Sequence, residues 1–201
     1  HGGRELPRAL RTFQSLAVPG YRNYSIALLL FYAGMQMMTL TRPWLAFELS
    51  ADDAGQRSAL ALGLTIAAHN LPSLVVSPWA GALADRFSKR RILQGSAGLM
   101  GVLALVLGFG VVMGAFQWWH VTIVAALQGT LQMLSTPARR TLISDLVPQR
   151  YLLNAVALSV VNQNVNRTIM PAVAGFVIEG FGAEWALWGI AVAYFAGMLA
   201  L

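Results

Sequence analysis

The sequence predicts an all-α membrane protein of six transmembrane helices, and three observations carry that expectation. Only 11% of the 201 residues are charged and 57% are apolar, whereas soluble domains carry roughly 25% charged residues. Apolar runs recur along the chain, each close to the ~20 residues needed to cross ~30 Å of hydrocarbon. The basic residues gather in alternate gaps between those runs, as membrane topology requires.

Residues 1–24 form the first segment. Leu6, Leu10, Phe13 and Leu16 alternate with Arg4, Arg8 and Arg11, without the compact apolar core of a signal peptide. The pattern predicts a cytoplasmic arm with a short interfacial helix. From 25 to 201 the chain reads as one six-helix unit, with spans at 25–49, 60–83, 92–112, 118–136, 152–176 and 183–201. The runs are too long, and too apolar on all sides, for the ~10-residue alternating strands of a barrel, so helices must satisfy the backbone. Pro43, Pro72, Pro78 and Pro171 fall in or near these spans, a placement that membrane bundles tolerate because neighbouring helices re-satisfy freed carbonyls.

Orientation follows from charge. Arg4, Arg8, Arg11 and Arg22 precede the first span; Arg86, Lys89, Arg90 and Arg91 join the second to the third; Arg139, Arg140 and Arg150 join the fourth to the fifth. The opposite side holds Arg57 among Glu48, Asp52, Asp53, Glu179 and Glu184. The positive-inside rule therefore puts the N-terminus in the cytoplasm. The sixth span should close on a cytoplasmic Lys or Arg, yet the sequence stops at Leu201, so the expectation is a unit truncated in helix six. The net charge of +6 is accounted for by this topology, and nucleic acid is not an expected partner.

Polar residues inside the spans are the candidates for function, because lipid penalises them. In the fifth span Ser159, Asn162, Gln163, Asn166 and Arg167 share one arc, with Asn164 outside it. Such an arc should face a cavity; the alternative is a structural cation held by neighbouring amides. Gln128 and Gln132 in the fourth span, and Gln36 with Tyr32 and Thr39 in the first, would line the same cavity or act as interhelical hydrogen bonders. His69 lies in a stripe with Thr65, Ser73 and Ser77. It is a possible proton site, or a neutral ring bonded to a neighbouring helix. Arg42, close to the outer end of its span, reads as a snorkelling anchor. There is no cysteine, and no nucleophile elbow, zinc-binding pair or phosphate loop. The chain is not expected to be an enzyme, or to hold a metal or cofactor.

The segment joining the second and third spans is the most specific. Gly81, Asp85, Arg86, Lys89 and Arg90 resemble the loop motif of the major facilitator superfamily, with Ser88 where that family has Gly. Further agreement comes from Tyr21-Arg22-Asn23-Tyr24, Trp44 to Leu49, Leu71-Pro72, Pro137-Ala138-Arg139, Leu146-Val147-Pro148, Asn154 to Leu158 and Pro171 to Gly175, which look like the enterobactin-exporter-like branch for drug and siderophore efflux. The resemblance implies the N-terminal half of a twelve-helix bundle, built from 3+3 repeats and partnered by a missing C-terminal six-helix half. It implies alternating access in the inner or plasma membrane, with efflux of a small amphipathic or hydrophobic molecule driven by an ion gradient, the coupling ion being H+. An importer, or a channel or scaffold that does not transport, is the alternative. It also makes Asp85 a cytoplasmic gate latch that engages Arg139 or Arg140.

Overall fold

The computed structural model describes residues 19–52, 55–86 and 88–201, with side chains described from 20 onward except at 77–87. The interfacial helix expected in the N-terminal arm lies outside the described residues. Helices α1 (Pro19–Glu48), α2 (Ala59–Arg86), α3 (Lys89–Val112), α4 (Trp118–Leu146), α5 (Gln149–Phe181) and α6 (Ala183–Ala200) account for all six expected spans.

Several helices outrun the apolar segments that predicted them. At 1.5 Å per residue, the 29 residues of α4 and the 33 of α5 are longer than ~30 Å of hydrocarbon requires. Their polar ends can therefore stand in the headgroup region. By length and composition, Gly20–Glu48, Ala59–Val76, Lys89–Val112 and Ala183–Ala200 are apolar enough to cross a membrane unaided. The helices α4 and α5 are those in which the glutamines, asparagines and interior arginines concentrate, as expected of helices that have neighbours or a cavity to face.

Helix adjacency has an internal symmetry. The neighbours are α2·α4, α1·α5, α1·α6, α3·α4, α3·α6, α1·α2, α4·α5, α1·α4 and α5·α6. Exchanging α1, α2 and α3 with α4, α5 and α6 turns α2·α4 into α1·α5, α1·α6 into α3·α4 and α1·α2 into α4·α5. It leaves α3·α6 and α1·α4 unchanged, and α5·α6 alone has no counterpart of comparable extent. The start of α1 meets the end of α4, where the Tyr24 hydroxyl donates to the Arg139 carbonyl at 2.8 Å. The two triplets thus run in opposite senses, as an inverted 3+3 repeat does.

Small residues set the close crossings, because lipid supplies no hydrophobic drive between helices and packing must. Along the α3·α6 seam, Gly98 faces Met198, Gly101 faces the Phe195 ring and Gly108 faces the Trp188 indole. A Cβ on Gly101 would stand 3.0 Å from that ring, and one on Gly108 2.8 Å from the indole nitrogen. Between α1 and α6, Gly34 lies against the Ile190 carbonyl and Gly197 against the Ala27 carbonyl. The α2·α4 crossing is the tightest: a Cβ on Gly129 would run into the backbone carbonyl of His69. The core between these seams holds Leu28, Phe31, Met38, Met100, Leu107, Leu187, Ile190 and Tyr194.

Candidate functional site

Most of the predicted motif lies at the end of the bundle formed by the start of α1 and the α2–α3 and α4–α5 turns. Gly81, Asp85 and Arg86 ride on the last turns of α2. Their side chains lie outside the described residues, as does any contact between Asp85 and Arg139 or Arg140. Lys89, the first residue of α3, reaches α4, where its Nζ stands 2.7 Å from Asp145 Oδ2. Sequence reasoning passed over Asp145, although an acid between Arg140 and Arg150 was a readable signal. Arg90 and Arg140 are exposed.

Arg139 departs from expectation. The sequence placed it in a loop, but α4 continues as a helix through Pro137, and this carries the side chain inward onto α1. It is 7% exposed, with its guanidinium 4.6 Å from the Phe31 ring centre and 5.5 Å from that of Tyr32. Nη2 donates to Thr136 Oγ1 at 3.1 Å, and Nη1 has no hydrogen-bond partner among the described residues. Cation–π contact replaces part of the lost hydration.

The polar arc of α5 divides. Asn166 is buried, and its Nδ2 donates to the Asn162 carbonyl at 2.9 Å and to Asn162 Oδ1 at 2.8 Å. Asn162 in turn donates to the Ser25 carbonyl of α1 at 3.4 Å. Gln163 and Arg167 are exposed, as is Asn164. The stripe that packs on α1 is narrower than the arc, so its outer members stay on the open face. A cavity of about 370 Å³ between α1 and α5 has Arg22, Ser25, Ser159 and Asn162 among walls that are otherwise apolar.

In α1 and α4, Gln36 is buried, Gln132 half-buried and Gln128 only 2% exposed. Both amide atoms of Gln128 lack partners among the described residues, an arrangement that costs about 1–3 kcal/mol per buried group.

Arg42 is the second departure. Instead of snorkelling, it is 4% exposed. Its Nε donates to the Met38 carbonyl at 3.3 Å, and its Nη1 stands 2.7 Å from His69 Nδ1. Gly129 lets α4 approach the His69 backbone, and the imidazole stands between α4 and Arg42 of α1. His69 Nδ1 also lies 3.2 Å from the Ala125 carbonyl, and the Gln132 side chain approaches the ring. Beside the pair, Thr39, Pro43, Ile66 and Asn70 border a cavity of about 320 Å³. A buried cation gives up its hydration at a high cost, so its surroundings must answer that cost.

A family model described as transmembrane secretion effector matches residues 11–201. The staphyloferrin A transporter of Staphylococcus aureus is 30% identical over 71% of this chain and 36% of its own length. Macrolide efflux protein A of Streptococcus pyogenes is 24% identical over 78% of this chain and 39% of its own length. An MFS-type transporter of Bacillus subtilis, YfiS, is 25% identical over 78% and 35%. The chain thus spans little more than a third of the length of these relatives.

Proposed function

Because the chain belongs to the transmembrane secretion effector family of major facilitator transporters, we propose that it forms the N-terminal half of a secondary transporter. In this reading a second six-helix half completes a central cavity, and small amphipathic or hydrophobic molecules leave the cell by alternating access. The protein sits in the inner or plasma membrane with its N-terminus in the cytoplasm. An efflux protein among the relatives supports the direction of transport.

The observation that carries this reading is the open face of α5. Arg167 lies in the middle of a 33-residue helix and is exposed beside Gln163. A cation at that depth against lipid would be heavily penalised, whereas a water-filled cavity with a facing half would accommodate it. Gln163 and Arg167 are proposed to line that cavity, with Asn162 and Asn166 bracing α5 on α1, and Gln36, Gln128 and Gln132 behind them. The coupling ion is proposed to be H+, with His69 the residue of this half proposed to carry it. A proton gained at Nδ1 would turn the acceptor of the Arg42 bond into a donor and release Arg42. At the cytoplasmic end, Lys89 and Asp145 are proposed to hold α3 to α4 beside the Asp85 latch.

The test is export by the full-length protein, normalised to folded protein in the membrane. Arg167→Met should insert normally but change export rate or selectivity at least severalfold, and Asn164→Leu should do much less. Unchanged export by Arg167→Met would remove Arg167 from the cavity.

A further inference from the structure

We propose that the Arg42–His69 recess is an anion-binding site that takes the carboxylate of an amphipathic substrate. The inference rests on the transporter reading and names the substrate class for one of its sites.

The guanidinium of Arg42 has five N–H donors and no acceptor. One donates to the Met38 carbonyl and one to His69 Nδ1. Because a guanidinium can only donate, the second bond makes Nδ1 an acceptor and puts the imidazole proton on Nε2. The 3.2 Å approach of Nδ1 to the Ala125 carbonyl is then a meeting of two acceptors, so His69 does not draw its orientation from that carbonyl. The pair carries one positive charge and offers N–H groups in excess of the acceptors that meet them.

No carboxylate among the described residues is paired with that charge. Among the described residues the ion pairs are Arg57 with Glu48 and Lys89 with Asp145. Glu48, the acid that ends α1, is thus turned to the exposed Arg57 rather than inward to Arg42. The buried cation hydrogen-bonds a carbonyl and a neutral ring among the described residues.

The recess is shaped for a head group with an apolar body. Its volume of about 320 Å³ falls at the small end of ligand pockets, which run from ~300 to ~1,000 Å³. Thr39 and Asn70 border the polar part, and Pro43 and Ile66 supply an apolar wall. Thr39 Oγ1 is turned back to the Gln36 carbonyl at 2.6 Å, and Asn70 Nδ2 to the Ile66 carbonyl at 2.8 Å, so neither of these donors competes with the guanidinium for an anion. A planar carboxylate suits the guanidinium fork better than a point acceptor does, because two parallel N–H···O bonds can form.

A carboxylate could also come from a side chain of the rest of the transporter, and the experiment separates the two sources. Binding of 2-naphthoate and of 2-naphthamide to the purified full-length protein is measured by calorimetry, alongside outward transport of the neutral dye N-phenyl-1-naphthylamine. The wild type should bind naphthoate about tenfold or more tighter than the amide, as charge-assisted bonding implies. Arg42→Gln should abolish the preference, and Arg42→Lys should keep part of it. If a protein carboxylate already holds Arg42, the wild type shows no preference for naphthoate, and the proposal is overturned. The same follows if neither probe binds, or if the preference survives in Arg42→Gln. The wild-type comparison stands even if Arg42→Gln does not fold. Dye export without naphthoate preference overturns this site alone, whereas absence of any gradient-driven export overturns the transporter reading.

Discussion

Lys89 and Asp145 join the first residue of α3 to the penultimate residue of α4 across the turn-bearing end of the bundle. Both side chains are partly open to water, and ion pairs of that kind contribute about 0–1 kcal/mol. Their separation should therefore leave stability almost unchanged. If they hold the cytoplasmic end together during transport, Asp145→Lys should impair export severalfold by placing two cations side by side. The exchanged pair, Lys89→Asp with Asp145→Lys, should restore much of it. Export by the single and double variants, measured at equal amounts of folded protein, decides the matter: equal impairment of both would mean that the bridge does not matter. At this scale the sequence was an uneven guide. It singled out Lys89, Asn162, Asn166 and His69, each of which makes specific bonds. It misplaced Arg139 and Arg42 because position along the chain gives depth but not facing. A side chain near a helix end can snorkel outward or, where a neighbouring helix offers it a partner, turn inward.

Helices were legible because apolar runs of spanning length have few other uses. Their ends were not. The continuation of α4 through Pro137 to Leu146 follows from packing on α1, and propensity alone argues for a break at that proline. Helix pairing was also hidden, because the glycines that decide it do not announce their partners. Gly129 gives the clearest test at this scale. Its α-carbon meets the His69 carbonyl so closely that a side chain has no room, and backbone cannot yield as a flexible side chain can. Gly129→Val should push α4 from α2 and lower stability by about 1–3 kcal/mol or more, the range for overpacked interiors. Gly63, which has open space around its α-carbon, is the control: Gly63→Ala should be neutral or slightly stabilising. Thermal unfolding of both variants in detergent compares them, and equal unfolding temperatures would contradict the close crossing.

The molecule as a whole is two oppositely directed triplets that share one adjacency pattern. The sequence pointed to that relation only through the family resemblance, which implies 3+3 repeats, because the symmetry lies in which helices touch. What the sequence did carry was sidedness. All basic residues except Arg42, Arg57 and Arg167 lie before α1 or in its first turn, around the α2–α3 turn, or from the end of α4 to the start of α5, and with helices of alternating direction these places share one face of the membrane. The proposed latch, cavity and direction of export all presuppose that sidedness. The absence of cysteine makes it directly measurable. Ala51→Cys and Ser88→Cys, both at exposed turn positions, are introduced singly into the full-length protein, and intact cells are treated with a membrane-impermeant maleimide. The prediction is that Ala51→Cys is labelled at once and Ser88→Cys only after the membrane is opened; labelling of both in intact cells would contradict it.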